Sequence, residues 1–454
     1  MSAQPTVVVG GGLAGIAAAL RLADAGRRVV LIEKRPRLGG AAFSFPRGDL
    51  VIDNGQHVFL RCCTAYQWFV RRIGAERDVA VQDRLDIPVL APSGRRARLF
   101  RLPGVPAPAH LGTALAGYGV LGVADRARAV RGALALRRLD PRDRGLDAQT
   151  LGTFLRAHGQ NDATIGSLWG IVATATLNLD PDDASLALAA KVFRTGLLDS
   201  APAADIGYAA VPLGRLHDDA AAKALADAGV EVLTDHAVRS VVPGERVEVE
   251  GPDGARSFAT GSVVLAVPHR DAFTVVPALS DTRAGRVADL GSSPIVNVHV
   301  VYDRRVTDLP FAAAVDSPVQ WFFDRTESSG LARQQPGTQY LAVTVSAAAG
   351  LIDEPSKQVL ARFVPELARL LPEAARAAVL DAFVTRERHA TFRQAAGSWA
   401  LRPATGDGPD GVWLAGAWTD TGWPDTMEGA VRSGVAAAEA AAEVSPSHGL
   451  EFGP

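Results

Sequence analysis

The sequence predicts an α/β protein: a Rossmann-like dinucleotide-binding domain assembled from separated stretches of chain, plus an α+β domain for a substrate. Three observations carry that prediction. A strand, glycine loop, helix, strand and terminal acid run in order through residues 6–33. A second strand–glycine loop–helix unit closes the chain from 412 onward. Between them, residues 211–268 return to short apolar runs around an alanine-rich helix, while the remaining stretches carry different patterns.

The N-terminal unit is the most specific. T-V-V-V at 6–9 reads as a buried strand, and G-G-G-L-A-G follows at 10–15, with the G-x-G-x-x-G phase on Gly10, Gly12 and Gly15. A helix is expected over 16–25, ended by Gly26, and R-V-V-L-I at 28–32 is the next strand. Gly10 permits the tight turn, Gly12 lets a pyrophosphate reach the helix N-terminus, and Gly15 allows close helix–strand packing. Glu33 follows Gly10 by 23 residues, where a carboxylate accepts both hydroxyls of an adenosine ribose. An acid there favours a free diol over a 2'-phosphate but does not separate NAD from FAD. In K-R-P-R-L-G-G at 34–40, Gly39 and Gly40 suit a backbone passing close to a second part of a long dinucleotide, and Arg35 either flanks a phosphate or stands exposed.

At the far end, V-W-L-A at 412–415 is a strand running into a glycine-bearing loop, with a helix expected from near Thr426. Gly429 and Gly434 are costly inside a helix, so another backbone or a ligand should approach there. The expected division places the dinucleotide-binding domain at 1–79, 206–269 and 396–445. The substrate domain takes 80–205, mainly helical, and 270–395, containing sheet. Within it, 294–302 and 319–323 read as strands, whereas helical patterns dominate 150–193 and 356–380.

With 48% hydrophobic and 21% charged residues among 454, and a net charge of -2, the composition is that of a soluble enzyme. No sustained basic block supports nucleic-acid binding. The start, M-S-A-Q-P, lacks the regions of a signal peptide, and two cysteines form no disulfide framework, so a reducing cytoplasm is the expected setting. Cys62 and Cys63 end the stretch V-I-D-N-G-Q-H-V-F-L-R-C-C. One histidine beside two adjacent cysteines leaves a tetrahedral metal site short of a ligand, and C-C lacks the spacer of a redox pair, so no metal is expected. Both cysteines are read as packing at the start of a helix through Tyr66, Trp68 and Phe69. No run is long enough to span a bilayer. The apolar stretch 111–124 reads as a buried helix, with a dip into one leaflet as the alternative. The arginines at 126–131 read as a solvated helix face, with contact to anionic lipid as the alternative.

These segments together resemble the FAD-dependent amine oxidase and phytoene desaturase superfamily, whose fold is of the GR2 flavoprotein type. Within it they are most similar to the squalene-associated, hydroxysqualene dehydroxylase group. The likeness spans nearly the whole chain. V-V-V-G-G-G-L-A-G-I-A-A-A-L-R-L at 7–22 and T-D-T-G-W-P-D-T-M-E-G-A-V-R-S-G at 419–434 mark the superfamily. I-D-N-G-Q-H-V-F-L-R-C-C-T-A-Y at 52–66, L-W-G-I-V-A-T-A-T-L-N at 168–178 and A-S-L-A-L-A-A-K-V-F-R-T-G-L-L at 184–198 point to the group.

The resemblance implies FAD as cofactor and reductive dehydroxylation of hydroxysqualene to squalene for hopanoid synthesis. The allylic hydroxyl leaves as water, and hydride from flavin N5 quenches the cation. Carried over residue by residue, Gly10, Gly12 and Gly15 wrap the pyrophosphate and Glu33 holds the ribose. Arg35, Gly39 and Gly40 follow the cofactor, Val238 meets the adenine side, Gly416 opens the loop under the ribityl chain, and the Met427 N–H faces the flavin pyrimidine. Many relatives carry an acid directly after that last glycine; here Ala417 stands there, with Asp420 or water as the substitute. His57 is the candidate acid or a structural histidine, and Gln56 the candidate partner of flavin or substrate hydroxyl. Tyr208 and Trp423 are expected beside the flavin, and Trp321 and Phe322 along an isoprenoid tunnel, with ordinary core packing as the alternative for all four. A long-chain isoprenoid substrate implies peripheral contact with the inner face of the cell membrane; no electron donor is named by these motifs. The competing readings are a carotenoid-type desaturase, an amine oxidase and a non-catalytic flavin-binding module.

Overall fold

The computed structural model describes residues 4–443 and 452–453. Residues 1–3, on which the expectation about a signal peptide rests in part, and the last two residues of the 396–445 segment lie outside them.

Five parallel strands form the central sheet, in the order Glu231–Leu233, Val29–Ile32, Thr6–Val9, Val263–Leu265, Val412–Leu414. They are short apolar runs because both faces are covered. Val8, Leu31 and Val264 face the helices Leu13–Asp24, Thr64–Arg72 and Met427–Ala442. Val7, Val9, Val30 and Ile32 face a three-stranded antiparallel sheet over residues 237–259 and the helix His269–Val275. The expected close approach at Gly434 is between helices: a Cβ there would lie 2.0 Å from the Ala14 carbonyl oxygen.

A seven-stranded sheet builds the second layer system, in the order Val379–Phe392, Ser292–Tyr302, Gln339–Val345, Trp321–Asp324, Phe311–Ala314, Asp86–Leu90, Arg96–Phe100. The helix Ser356–Leu370 packs Val359, Phe363 and Leu367 onto one face. Helix dominates 356–380, as expected, through Ser356–Leu370, but does not fill it. It stops at Leu370, two residues before Pro372, whose ring disfavours helical geometry in the residue before it, and Val379 already begins a strand. The buried helix expected over 111–124 is corrected. The glycine-rich stretch gives only a short helix, Gly112–Ala116, and then turns, because Gly119 presses on the Arg96 carbonyl, where a Cβ would sit at 2.9 Å. A separate helix, Val123–Arg137, follows. Finally, Val58–Leu60, Ile206–Ala209 and Val79–Val81 form a small sheet with Ile206–Ala209 at its centre. Among the described residues no helix is long and apolar enough to cross a membrane.

Candidate cofactor and substrate site

The glycine loop is shaped by steric exclusion. Gly10 has φ +108, and a Cβ on it would lie 2.5 Å from the Ala266 carbonyl oxygen; on Gly15 a Cβ would meet the Gly10 oxygen at 1.8 Å. The helix Leu13–Asp24 starts after an extended Gly12 that offers no side-chain cap, so its first N–H groups point out unpaired by any capping side chain. Such an N-terminus, with its dipole, is an anion site. The second glycine pair lies directly on the first: a Cβ on Gly40 would be 2.8 Å from Gly12 Cα.

Glu33 is buried, and its carboxylate accepts from the Gly11 N–H at 2.6 Å and the Arg35 N–H at 2.9 Å, so the acid shapes the loop. Arg35 and Arg37 both donate to the Gly40 carbonyl, at 3.1 and 3.2 Å. Burial and the Arg35 charge push the Arg37 pKa down, as expected of two guanidinium groups gathered where a pyrophosphate would neutralise them. Arg37 escaped the motif reading; its signal was the R-P-R spacing. Uncapped amides, excluded Cβ atoms and paired guanidinium groups together fit a dinucleotide.

At the C-terminal loop Gly416 has φ +135 and donates to Ser433 Oγ at 2.8 Å. Met427 is the first residue of the final helix, whose Thr426 cap accepts the Gly429 N–H at 3.2 Å. Next to it Glu428 turns away and is fully buried. Its carboxylate accepts from the Ala65 and Tyr66 N–H groups at 3.1 and 2.8 Å, capping the helix Thr64–Arg72 from a distance. Cys63 is the N-cap residue of that helix, and its contact with Cys62, together with burial, pushes its thiol pKa up. Val238 lies at a bulge in the strand Ala237–Val242.

Asp420 does not stand ready to replace the acid missing at Ala417. Its two oxygens accept from Trp399 Nε1 at 2.8 Å and Arg144 Nη2 at 2.6 Å, so the carboxylate ties two chain segments together. The Ala417 carbonyl is held instead by buried Arg402, at 3.1 Å.

The D-N-G-Q-H turn links the strands Leu50–Asp53 and Val58–Leu60. Asn54 pins it to the second glycine segment, donating to the Ala41 carbonyl at 2.9 Å and accepting from Phe43 N–H at 3.0 Å. Asp53 accepts from Ser44 Oγ at 2.6 Å, the Leu213 N–H at 2.9 Å and Arg325 Nη2 at 2.6 Å. Arg325 also donates to the Ala209 carbonyl at 3.1 Å. This buried ion pair edges a cleft with room for about one water-sized group. Gln56, His57 and Tyr208 also line it, with Val58, Leu213 and Phe323 as apolar wall. Burial pushes the His57 pKa down; Asp53 raises it and Arg325 lowers it, so the imidazole is neutral near pH 7. Gln56 Nε2 is buried without a hydrogen-bond partner among the described residues.

One aromatic expectation is corrected. Phe322 points to the opposite face of its strand, into the core under the helix Ser356–Leu370, because strand side chains alternate. Phe323 takes its place on the cleft, stacked on Trp321 with centroids 6.3 Å apart. Trp423 stands in the C-terminal loop, where its ring carries Lys191 Nζ at 4.6 Å and the Arg432 guanidinium at 4.7 Å. Burial and that neighbouring arginine lower the Lys191 pKa to about 8. Arg325 escaped sequence reading altogether, since it lies 272 positions from Asp53 and carries no motif.

Comparison with known proteins gives the family and the fold. The profile of the family described as flavin containing amine oxidoreductase matches residues 13–442. Hydroxysqualene dehydroxylase from Rhodopseudomonas palustris is 30% identical over 95% of this chain and 97% of its own. The protein of the same name from Sinorhizobium fredii is 29% identical over 96% and 97%. Zeta-carotene desaturase from Synechocystis is 24% identical over 95% and 96%. Putrescine oxidase bound to putrescine superposes with a TM-score of 0.71 at 19% identity, covering 97% of this chain and 98% of that one, a likeness of fold. The chain therefore belongs to the flavin-containing amine oxidoreductase family and is an FAD-dependent oxidoreductase.

Proposed function

We propose that the enzyme reduces hydroxysqualene to squalene, releasing the allylic hydroxyl as water. The observation that carries this reading is the buried, unpartnered Gln56 amide in a cleft that it shares with the Asp53–Arg325 pair, His57 and an apolar wall of Val58, Leu213 and Phe323. A pure hydrocarbon such as a carotene precursor leaves that donor unpaired, at a cost of about 1–3 kcal/mol; an alcohol oxygen satisfies it. The two relatives named hydroxysqualene dehydroxylase support the same substrate class.

In this reading Gly10, Gly12, Gly15, Glu33, Arg35, Gly39, Gly40, Val238, Gly416 and Met427 hold FAD, which in its reduced form supplies the hydride. Gln56 orients the substrate oxygen by donating to it. Neutral His57 serves as its hydrogen-bond partner rather than as a stored proton. Tyr208, Trp321 and Phe323 exclude water from the allylic carbon while the C–O bond breaks. The hydride forms the new C–H bond and a proton leaves with the hydroxyl as one water, both supplied by fully reduced FAD. A C30 substrate resides in lipid, so the reading includes peripheral contact with the inner face of the cell membrane.

The test is anaerobic incubation of the photoreduced enzyme with hydroxysqualene. Flavin reoxidation matched by squalene formation supports the reading. Absence of turnover, or desaturation of a carotenoid precursor by the oxidised enzyme instead, overturns it.

A further inference from the structure

The helix Val123–Arg137 is apolar on two opposite faces, and only one of them is covered. Its inner face packs through Ala129, Gly132, Ala135 and Leu136, all buried. Contact there is tight, since a Cβ on Gly132 would lie 2.9 Å from the Gln160 and Trp169 side chains. Its outer face carries Val123, Ala127, Val130 and Leu134, spaced by four, three and four residues. At 3.6 residues per turn these fall within an arc of about 60°. All four are exposed, Val123 at 79% and the other two large residues near half. An outward apolar stripe on an α-helix of a water-facing domain calls for an occupant.

The charges around the stripe identify its chemistry. Helical spacing puts Arg131 and Arg138 along one border and Arg126 and Arg137 along the other. Residues 123–144 hold seven arginines and three aspartates, in a chain whose net charge is -2. One of the aspartates, Asp125, is already tied to Arg128 and Asn161. A second copy of the chain seated on this stripe would oppose these arginines to one another, a like-charge contact. Arg126 and Arg131 donate to the backbone carbonyls of Leu121, Ala116 and His158, whereas Arg137 and Arg138 stand exposed. An anionic bilayer surface satisfies both features at once: the stripe enters the acyl boundary, and Arg137 and Arg138 reach lipid phosphates.

We infer that this helix lies flat in the interface of an anionic membrane and is the surface by which the protein docks there. The inference deepens the proposed function, which supplies a reason for meeting lipid, but the surface stands on its own geometry. It takes up the lipid contact given as the alternative for residues 126–131, where Arg128 and Arg131 are exposed.

The test is co-sedimentation of the full-length holoenzyme with vesicles of phosphatidylcholine alone or with about one third phosphatidylglycerol. The wild type should bind the anionic vesicles at least about tenfold more tightly than the neutral ones. V123S/V130S/L134S should weaken that binding by at least about tenfold, and R137Q/R138Q should weaken it by about tenfold and flatten its salt dependence. Retained flavin absorbance reports folding of each variant, and turnover in detergent should stay unchanged. Wild-type failure to bind, or full binding by the triple variant, overturns the inference without touching the reaction. Wild-type dimers that the triple variant abolishes, with no vesicle binding, overturn it in favour of a protein contact.

Discussion

The glycine loop and the Gln56 cleft both form at strand ends, but they are assembled over very different lengths of chain. The loop takes its shape chiefly from residues 10–40, with the Ala266 backbone pressed on Gly10 from the neighbouring strand, and most of its contacts are between backbone atoms. The cleft joins residues 53–58, 208–213 and 323–325 through side chains. The difference teaches how each should fail. The loop has no spare volume, so added atoms break it. The cleft depends on paired charges and one unpaired donor, so removed atoms break it.

The largest effect is expected from Gly15→Ala, whose new methyl would sit 1.8 Å from the Gly10 oxygen. Either the fold is lost or flavin retention falls by at least about a hundredfold, read as flavin absorbance per protein after gel filtration, alongside circular dichroism. Normal flavin content in a folded variant would show that the loop has slack. Next comes Arg325→Met, which strands the buried Asp53 carboxylate. Denaturant unfolding should show a loss of about 3–5 kcal/mol, with D53N/R325M recovering much of it. If the double variant is no better than the single one, the pair is not the unit that holds the cleft.

Gln56→Ala should leave flavin content and stability near wild type and cut kcat/KM for the alcohol by about tenfold to a hundredfold, equivalent to 1–3 kcal/mol. His57→Ala should also lower turnover. Full activity in both variants, with FAD bound, would remove the D-N-G-Q-H turn from the site.

The smallest effect concerns His217, buried against the second glycine segment. The Ala42 carbonyl at 3.1 Å sets its Nδ1 as donor, leaving Nε2 to accept from the Tyr66 hydroxyl at 2.9 Å. Burial lowers its pKa to about 4, from about 6.5. The native state therefore binds fewer protons than the unfolded one between those values, and this contribution, fully present above pH 6.5, is lost as pH falls toward 4. Relative to His217→Gln, the wild type should lose about 1 kcal/mol between pH 7 and 5.5. Asp425, raised to about 6 by burial, shifts stability the other way but cancels in that comparison. Parallel pH profiles of the two proteins would show that His217 titrates normally.

What was legible follows from the length scale of each constraint. Gly10, Gly12, Gly15 and Glu33 were readable because a backbone turn and a ribose acid obey short, fixed spacings. The strands of the parallel sheet were readable because burial on both faces leaves continuous apolar runs. The cleft was readable only in part: D-N-G-Q-H marked the turn, but nothing in the sequence pointed to Arg325, whose role exists only once Asp53 is brought against it. Composition identifies an aromatic strand and points to Trp321 and Phe322, whereas the phase that puts Phe323 on the cleft is set by pairing with Gln339–Val345. Asp420 was offered as a spare acid because its competition from Trp399 and Arg144 is invisible until the chain folds. The sequence by itself determined the dinucleotide architecture and the family of chemistry, since both rest on local backbone geometry. Only the tertiary structure decided which carboxylates are already paired, which aromatic faces the cleft and which helix face is left without a neighbour, because those depend on what distant segments bring into contact.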